Sequence, residues 1–240
     1  NNPSSKDISS NQINYVPLDG YDGIKSDQEE HVHFIIVGMS KMGVAMGVQA
    51  LYQAHYPNVM KHPDQRSRIT FIDVNAEQEM LFFKGRYATL FELARHRCID
   101  AEEITSDNAA ELLGEEKWTD PMKASDKWSQ LSKVTKDDKG GKNFLDVEIE
   151  FIKGELESEG VREYLRKVTA DEKSKVTIAI CLPLTHQSVA AALYMPIEVY
   201  QSNKVQDIWV YQREAADIIL NLVKAKEQDV RYEKLKPFGM

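Results

Sequence analysis

The residues of this chain best suited to chemistry stand in one hexapeptide, Gly38-Met39-Ser40-Lys41-Met42-Gly43, where an apolar run gives way to helical spacing. Glycine serves where a backbone turns sharply, approaches a ligand closely or packs a helix tightly on a strand. A helix N-terminus adds partial positive charge and free N–H groups that suit a phosphate. The spacing is G-x-S-x-x-G, with Ser40 where a dinucleotide fingerprint has its middle glycine and Lys41 supplying a cation beside it. The same turn also reads as a purely structural strand-to-helix connection. Asp73 closes the next apolar run, where such a fold places the acid that accepts ribose hydroxyls. The interval from the glycines exceeds the usual ~20 residues, and the polar stretch from Tyr56 to Ser67 takes up most of the excess. Asp73 or Asn75 equally fits the cap of the following helix, and the two roles are compatible. Gly154-Glu155 ends a later run and faces an adenine edge in this scheme; Cys181-Leu182-Pro183-Leu184-Thr185 falls where a nicotinamide half would lie. Both also read as ordinary loops.

Other chemistry is thinly represented. A Tyr-x-x-x-Lys spacing at Tyr232–Lys236 lies past the core, and no G-x-S-x-G elbow or Walker lysine motif occurs. His31 and His33 alternate on one strand face, but no cysteine or acid cluster completes a metal site with them. His186 and Tyr194 are the only candidates for a proton relay near the expected cleft. The helical stripe Met39, Met42, Met46 reads as core packing.

The elements that must position these residues follow a repeated pattern. His33–Val37 is a continuous apolar run, as in a parallel strand buried on both faces, and Met42–Ala54 has helical spacing. Further strands are expected at 68–73, 145–152, 176–181 and 207–211. The helices between and after them start near Ala76 and cover 161–168, 185–200 and 215–225. Five strands alternating with helices predict a doubly wound, Rossmann-like parallel α/β sheet. Residues 1–30, rich in Asn, Ser, Asp and Gly, read as a flexible arm or linker; 31–226 form the nucleotide-binding domain; 227–240 read as a connector to a downstream region. A charged insertion spans 100–143, with Trp118 and Trp128 packing on the domain or on a partner.

Composition narrows the partners. A net charge of −8 argues against nucleic-acid and anionic-membrane surfaces, which require a positive face. Cys98 and Cys181 lie far apart with no CxxC spacing, which fits a reducing compartment. No apolar run approaches the ~20 residues needed to span a bilayer. The chain reads as a soluble, cytoplasmic piece of a longer polypeptide.

A buried strand, a Gly-x-Ser-Lys-x-Gly turn, an acid-ended second strand and a later strand ending in Gly-acid together resemble the N-terminal lobe of RCK domains. These domains, also called TrkA-N domains, are cytoplasmic regulatory modules of potassium channels and transporters. The resemblance covers roughly His31 to Ala225, with both insertions unmatched. Val37 to Gly43 is similar to that family's Gly-x-Gly-Arg-x-Gly turn, with Ser40 for glycine and Lys41 for arginine. It implies a regulatory domain that binds NAD(H) or another adenine nucleotide, forms a homodimer and is attached to further, membrane-embedded domains. Two alternatives remain open: a fragment of an NAD-dependent oxidoreductase, and a Rossmann scaffold that only oligomerises.

Overall fold

A computed structural model of the chain describes residues 14–119, 145–212 and 233–239. Seven strands form one sheet in the order β3-β4-β2-β1-β5-β6-β7, every neighbouring pair parallel. They are β1 His31–Val37, β2 Ser67–Asp73, β3 Arg95–Asp100, β4 Val147–Lys153, β5 Ser174–Ile180, β6 Val205–Tyr211 and β7 Leu235–Phe238. Helices α1 Lys41–Gln53, α2 Ala76–Arg86 and α3 Ala88–Leu93 cover one face. The other face carries α4 Ala109–Leu112, α5 Glu159–Thr169, α6 Thr185–Tyr194 and α7 Ile197–Gln201. The chain is therefore a Rossmann-like α/β domain. Its strand order reverses between β1 and β5, the place where ligands of such sheets lie.

The structure departs from the sequence expectations at four places. β3 is a strand within residues read as the approach to the insertion. Residues 235–238, read as connector, form the edge strand β7. The long helix expected at 185–200 is two helices, because Pro196 has no N–H to continue the first. The described part of the N-terminal arm lies on the sheet: the Val16 amide donates to Asp207 at 2.7 Å, and Tyr15 packs edge-on against Trp209 and donates to the Pro237 carbonyl. The expected helix at 215–225, and Trp128, fall outside the described residues.

Both sheet edges are occupied. On β7, Pro237 lacks an N–H and its carbonyl is taken by Tyr15. On β3, His96 and Thr119 exchange both backbone hydrogen bonds in an antiparallel bridge.

The face under α5 divides into two halves along the strands. Toward the carboxyl ends it is aliphatic: Val37, Ile72, Ile152 and Ile99 stand in register and are all buried. Toward the amino ends it is charged, because alternate residues of the strands place Thr70, Glu150 and Arg97 in one row and His33, Arg68, Glu148 and Arg95 in the next. Arg97 pairs with Glu150, Arg68 and Arg95 both reach Glu148, and Tyr164 of α5 donates to Glu150. Trp118 lies with its ring 4.2 Å from the Arg97 guanidinium carbon, with Arg68 and Arg95 close by. Arg97 also donates to the Leu113 and Gly114 carbonyls, tying the segment after β3 to the sheet. Buried charges persist only when paired and hydrogen-bonded.

The buried histidines and Glu150 set the response to acid. Burial, together with Arg68, holds the His33 imidazole well below the ordinary histidine range. Burial also lowers His31 and His96. Burial alone would raise Glu150, but Arg97 and Arg68 outweigh it and bring the carboxyl down to about 2. All four groups bind fewer protons in the native chain than in the unfolded one, so stability is complete above the unfolded values and falls as pH drops through them. Asp207, raised by burial, acts in the opposite sense but is alone in this among the described acids. Urea midpoints are therefore expected to fall between pH 7.5 and 5, through the histidines, and again below pH ~4.5, through Glu150. A midpoint constant from pH 7.5 to 4 would contradict this account.

Candidate functional site

The glycine turn sits at the carboxyl end of β1, beside the strand-order reversal. Gly38 has φ +93°, a left-handed conformation that a side chain strains, and a Cβ there would lie 3.0 Å from the Cys181 carbonyl oxygen. A Cβ on Gly43 would fall 2.1 Å from the Gly38 carbonyl oxygen, so α1 can approach β1 only with glycine at that position. Ser40 caps α1: its Oγ accepts from the Gly43 amide at 3.3 Å, and its carbonyl accepts from Val44. The Ser40 hydroxyl proton is still free to donate outward. The Gly38 amide donates to Ile72 O. Among the described residues, no protein group accepts from the amides of Ser40, Lys41 and Met42, and the Lys41 side chain is exposed beside them. Met39 and Met46 pack in the core under α1, as their spacing predicts.

Asp73, ending β2, turns toward this loop. Its Oδ2 accepts from the Met39 amide at 2.8 Å and its Oδ1 from the Asn75 amide at 2.9 Å. Each carboxylate oxygen keeps a further lone pair for a ligand hydroxyl. Asn75 occupies the cap position of α2, but its side chain makes no capping bond. Gly154 follows β4 and donates to the Asp73 carbonyl; a Cβ there would meet Ala101 and Val161 at 2.8 Å. Glu155 is exposed, and its carbonyl receives both the amide and the hydroxyl of Ser158, the cap of α5. A cavity of about 290 Å³ opens here, between Val74, Asp100, Lys153, Gly154, Glu155 and Ser158.

The structure thus brings Gly38–Gly43, Asp73 and Asn75 together, with Gly154 and Glu155 one strand further along the same edge. His186 and Tyr194 are exposed on α6 and, among the described residues, form no hydrogen bond with the turn. Both cysteines are free, and burial pushes Cys98 up to about 11 and Cys181 up to about 12, so neither is a ready nucleophile at neutral pH. Among the described residues no group of three or more His, Cys, Asp or Glu side chains is placed to hold a metal, and no helix is long and apolar enough to cross a membrane.

Two residues at this edge escaped the sequence reading, Asp100 and Lys153. Asp73, Lys153 and Asp100 end β2, β4 and β3 in direct register, giving an acid–lysine–acid row across three strands. Lys153 Nζ lies 2.6 Å from Asp100 Oδ2. A second cavity, of about 400 Å³, lies beyond this pair, between α2, β3 and the segment after it. The signal available was the repeated Ile-Asp ending, Ile72-Asp73 and Ile99-Asp100. A third cavity, bounded by Leu51, His55, Tyr87 and Leu93, lies by the far end of α1, remote from the turn.

Fold and turn define a Rossmann-like domain with a helix N-terminus open at its strand-order reversal. Compared with protein-family models, with curated proteins and with solved structures, the chain matches none.

Proposed function

We propose that this chain is a nucleotide-binding regulatory domain of the RCK/TrkA-N kind. The observation that supports it is the trio of unpaired amides at Ser40, Lys41 and Met42, at the head of a 13-residue helix beside the strand reversal. A phosphate seated there would gain three N–H donors, the Ser40 hydroxyl, the Lys41 charge and the helix dipole. Asp73 would take ribose hydroxyls, and the cavity before Gly154-Glu155 would take the base, so NAD(H) or another adenine nucleotide fits the residues present. Binding would act by favouring one conformation and passing that bias to attached domains, including those of a potassium transporter, within a homodimer. The proposal assigns no catalytic residue.

The test is calorimetric titration with NADH, NAD, ATP and AMP, on the wild-type chain and on Ser40→Asp. Aspartate keeps the cap of α1 and suits its dipole, so the fold is retained. It also places a fixed negative charge where the phosphate would sit, and affinity should fall roughly tenfold or more. Equal binding by both proteins would move the site elsewhere. A wild-type chain that binds none of the four would leave the scaffold reading.

A further inference from the structure

The row Asp73–Lys153–Asp100 raises a question of ligand choice. Next to the acid that would read the ribose stands a cation, and a lysine or arginine in that neighbourhood is what accommodates a 2′-phosphate. Yet Lys153 does not face Asp73 alone: its ammonium is 2.6 Å from Asp100, on the side away from β2. That hydrogen bond also holds the Asp100 carboxyl below the usual carboxylate range, so the pair stays ionised. Asp100 is itself positioned, because its Oδ1 accepts from the Glu102 amide at 3.1 Å. The remaining charged groups on the cavity wall, Glu102 and Glu155, are acids. With Lys153 neutralised by its partner, a 2′-phosphate entering this end would meet net negative charge.

We infer that Asp100 is the specificity residue of the ribose end: by holding Lys153, it makes the site reject a 2′-phosphorylated adenosine and accept one with a free 2′-hydroxyl. The inference rests on the nucleotide reading above. β3 is essential to it, since the acid that restrains the lysine comes from that edge strand.

The experiment compares AMP with adenosine 2′,5′-bisphosphate on the wild-type chain, Asp100→Asn and Asp100→Asn/Lys153→Gln. Asparagine keeps the oxygen that accepts from Glu102, so the turn after β3 is retained, and thermal melting verifies that each variant folds. The wild type should favour AMP. Asp100→Asn should shift the AMP-to-bisphosphate affinity ratio roughly tenfold toward the bisphosphate, as one freed charge-assisted contact would. The double variant should lose that shift. If AMP binds but Asp100→Asn leaves the ratio unmoved, or the double variant shifts as far as the single one, the specificity role of the pair is overturned while nucleotide binding stands. A wild-type preference for the bisphosphate overturns it equally. A wild-type chain that binds neither probe overturns both readings.

Discussion

Replacing Arg97 by methionine is expected to destabilise the domain by about 3–5 kcal/mol, the usual effect of removing one partner from a buried ion pair. Arg97 is 3 % exposed and Glu150 is fully buried. Without the guanidinium, Glu150 would keep its bonds from Thr70 and Tyr164 and the more distant charge of Arg68, but lose the cation that contributes most to lowering its pKa. Methionine fills much of the same volume, so the effect reports the charge and not a cavity. The Leu113 and Gly114 carbonyls would lose their donor as well, loosening the segment that carries Trp118. Urea unfolding checks the value, and Arg97→Met/Glu150→Gln should recover part of the loss, because a neutral amide is cheaper to leave buried than a carboxylate. A single-variant loss under about 1 kcal/mol would mean that the carboxylate finds compensation elsewhere.

The second large effect concerns Gly160, the second residue of α5. A Cβ there would lie 1.7 Å from the Ala101 carbonyl oxygen, well inside van der Waals contact, and the obstacle is backbone on both sides. Helix α5 must then lift from the turn after β3, or that turn must shift. Gly160→Ala should cost roughly 3 kcal/mol or more, near the upper end for overpacking. In a chain of this size that is a fall of about 10 °C in melting temperature. Gly85→Ala is the matched control. Gly85 lies inside α2 with open space around it, so alanine there should stabilise by about 0.5–1 kcal/mol. Equal melting temperatures for the two variants would contradict the close approach.

Much of the architecture is legible in the sequence because strands buried on both faces of a parallel sheet read as unbroken apolar runs. β1, β2 and β5 announce themselves in this way. β3 does not: Arg95, His96 and Arg97 look solvated by composition, and the two arginines are withdrawn from solvent only because they meet acids, Glu148 and Glu150 of β4 among them. β7 is four residues with a proline, too short to show a period. The glycine turn is legible for a different reason, since its demands on φ and on close approach act within six residues. The pairing of Asp100 with Lys153 depends on β4 inserting between β2 and β3, and no local pattern encodes a strand order that departs from chain order.

The two guarded margins of the sheet bear on how copies of this chain can meet. Pro237 offers no hydrogen to an incoming strand, Tyr15 already occupies its oxygen, and Thr119 sits across from His96 at the opposite margin. Polymerisation by strand addition, the common hazard of an open parallel sheet, is thereby opposed at both ends. Among the described residues, self-association is thereby directed to side chains on the helical layers, where contact geometry rather than backbone pairing selects the partner. That route leaves room for a closed, symmetric pair instead of an open-ended fibre.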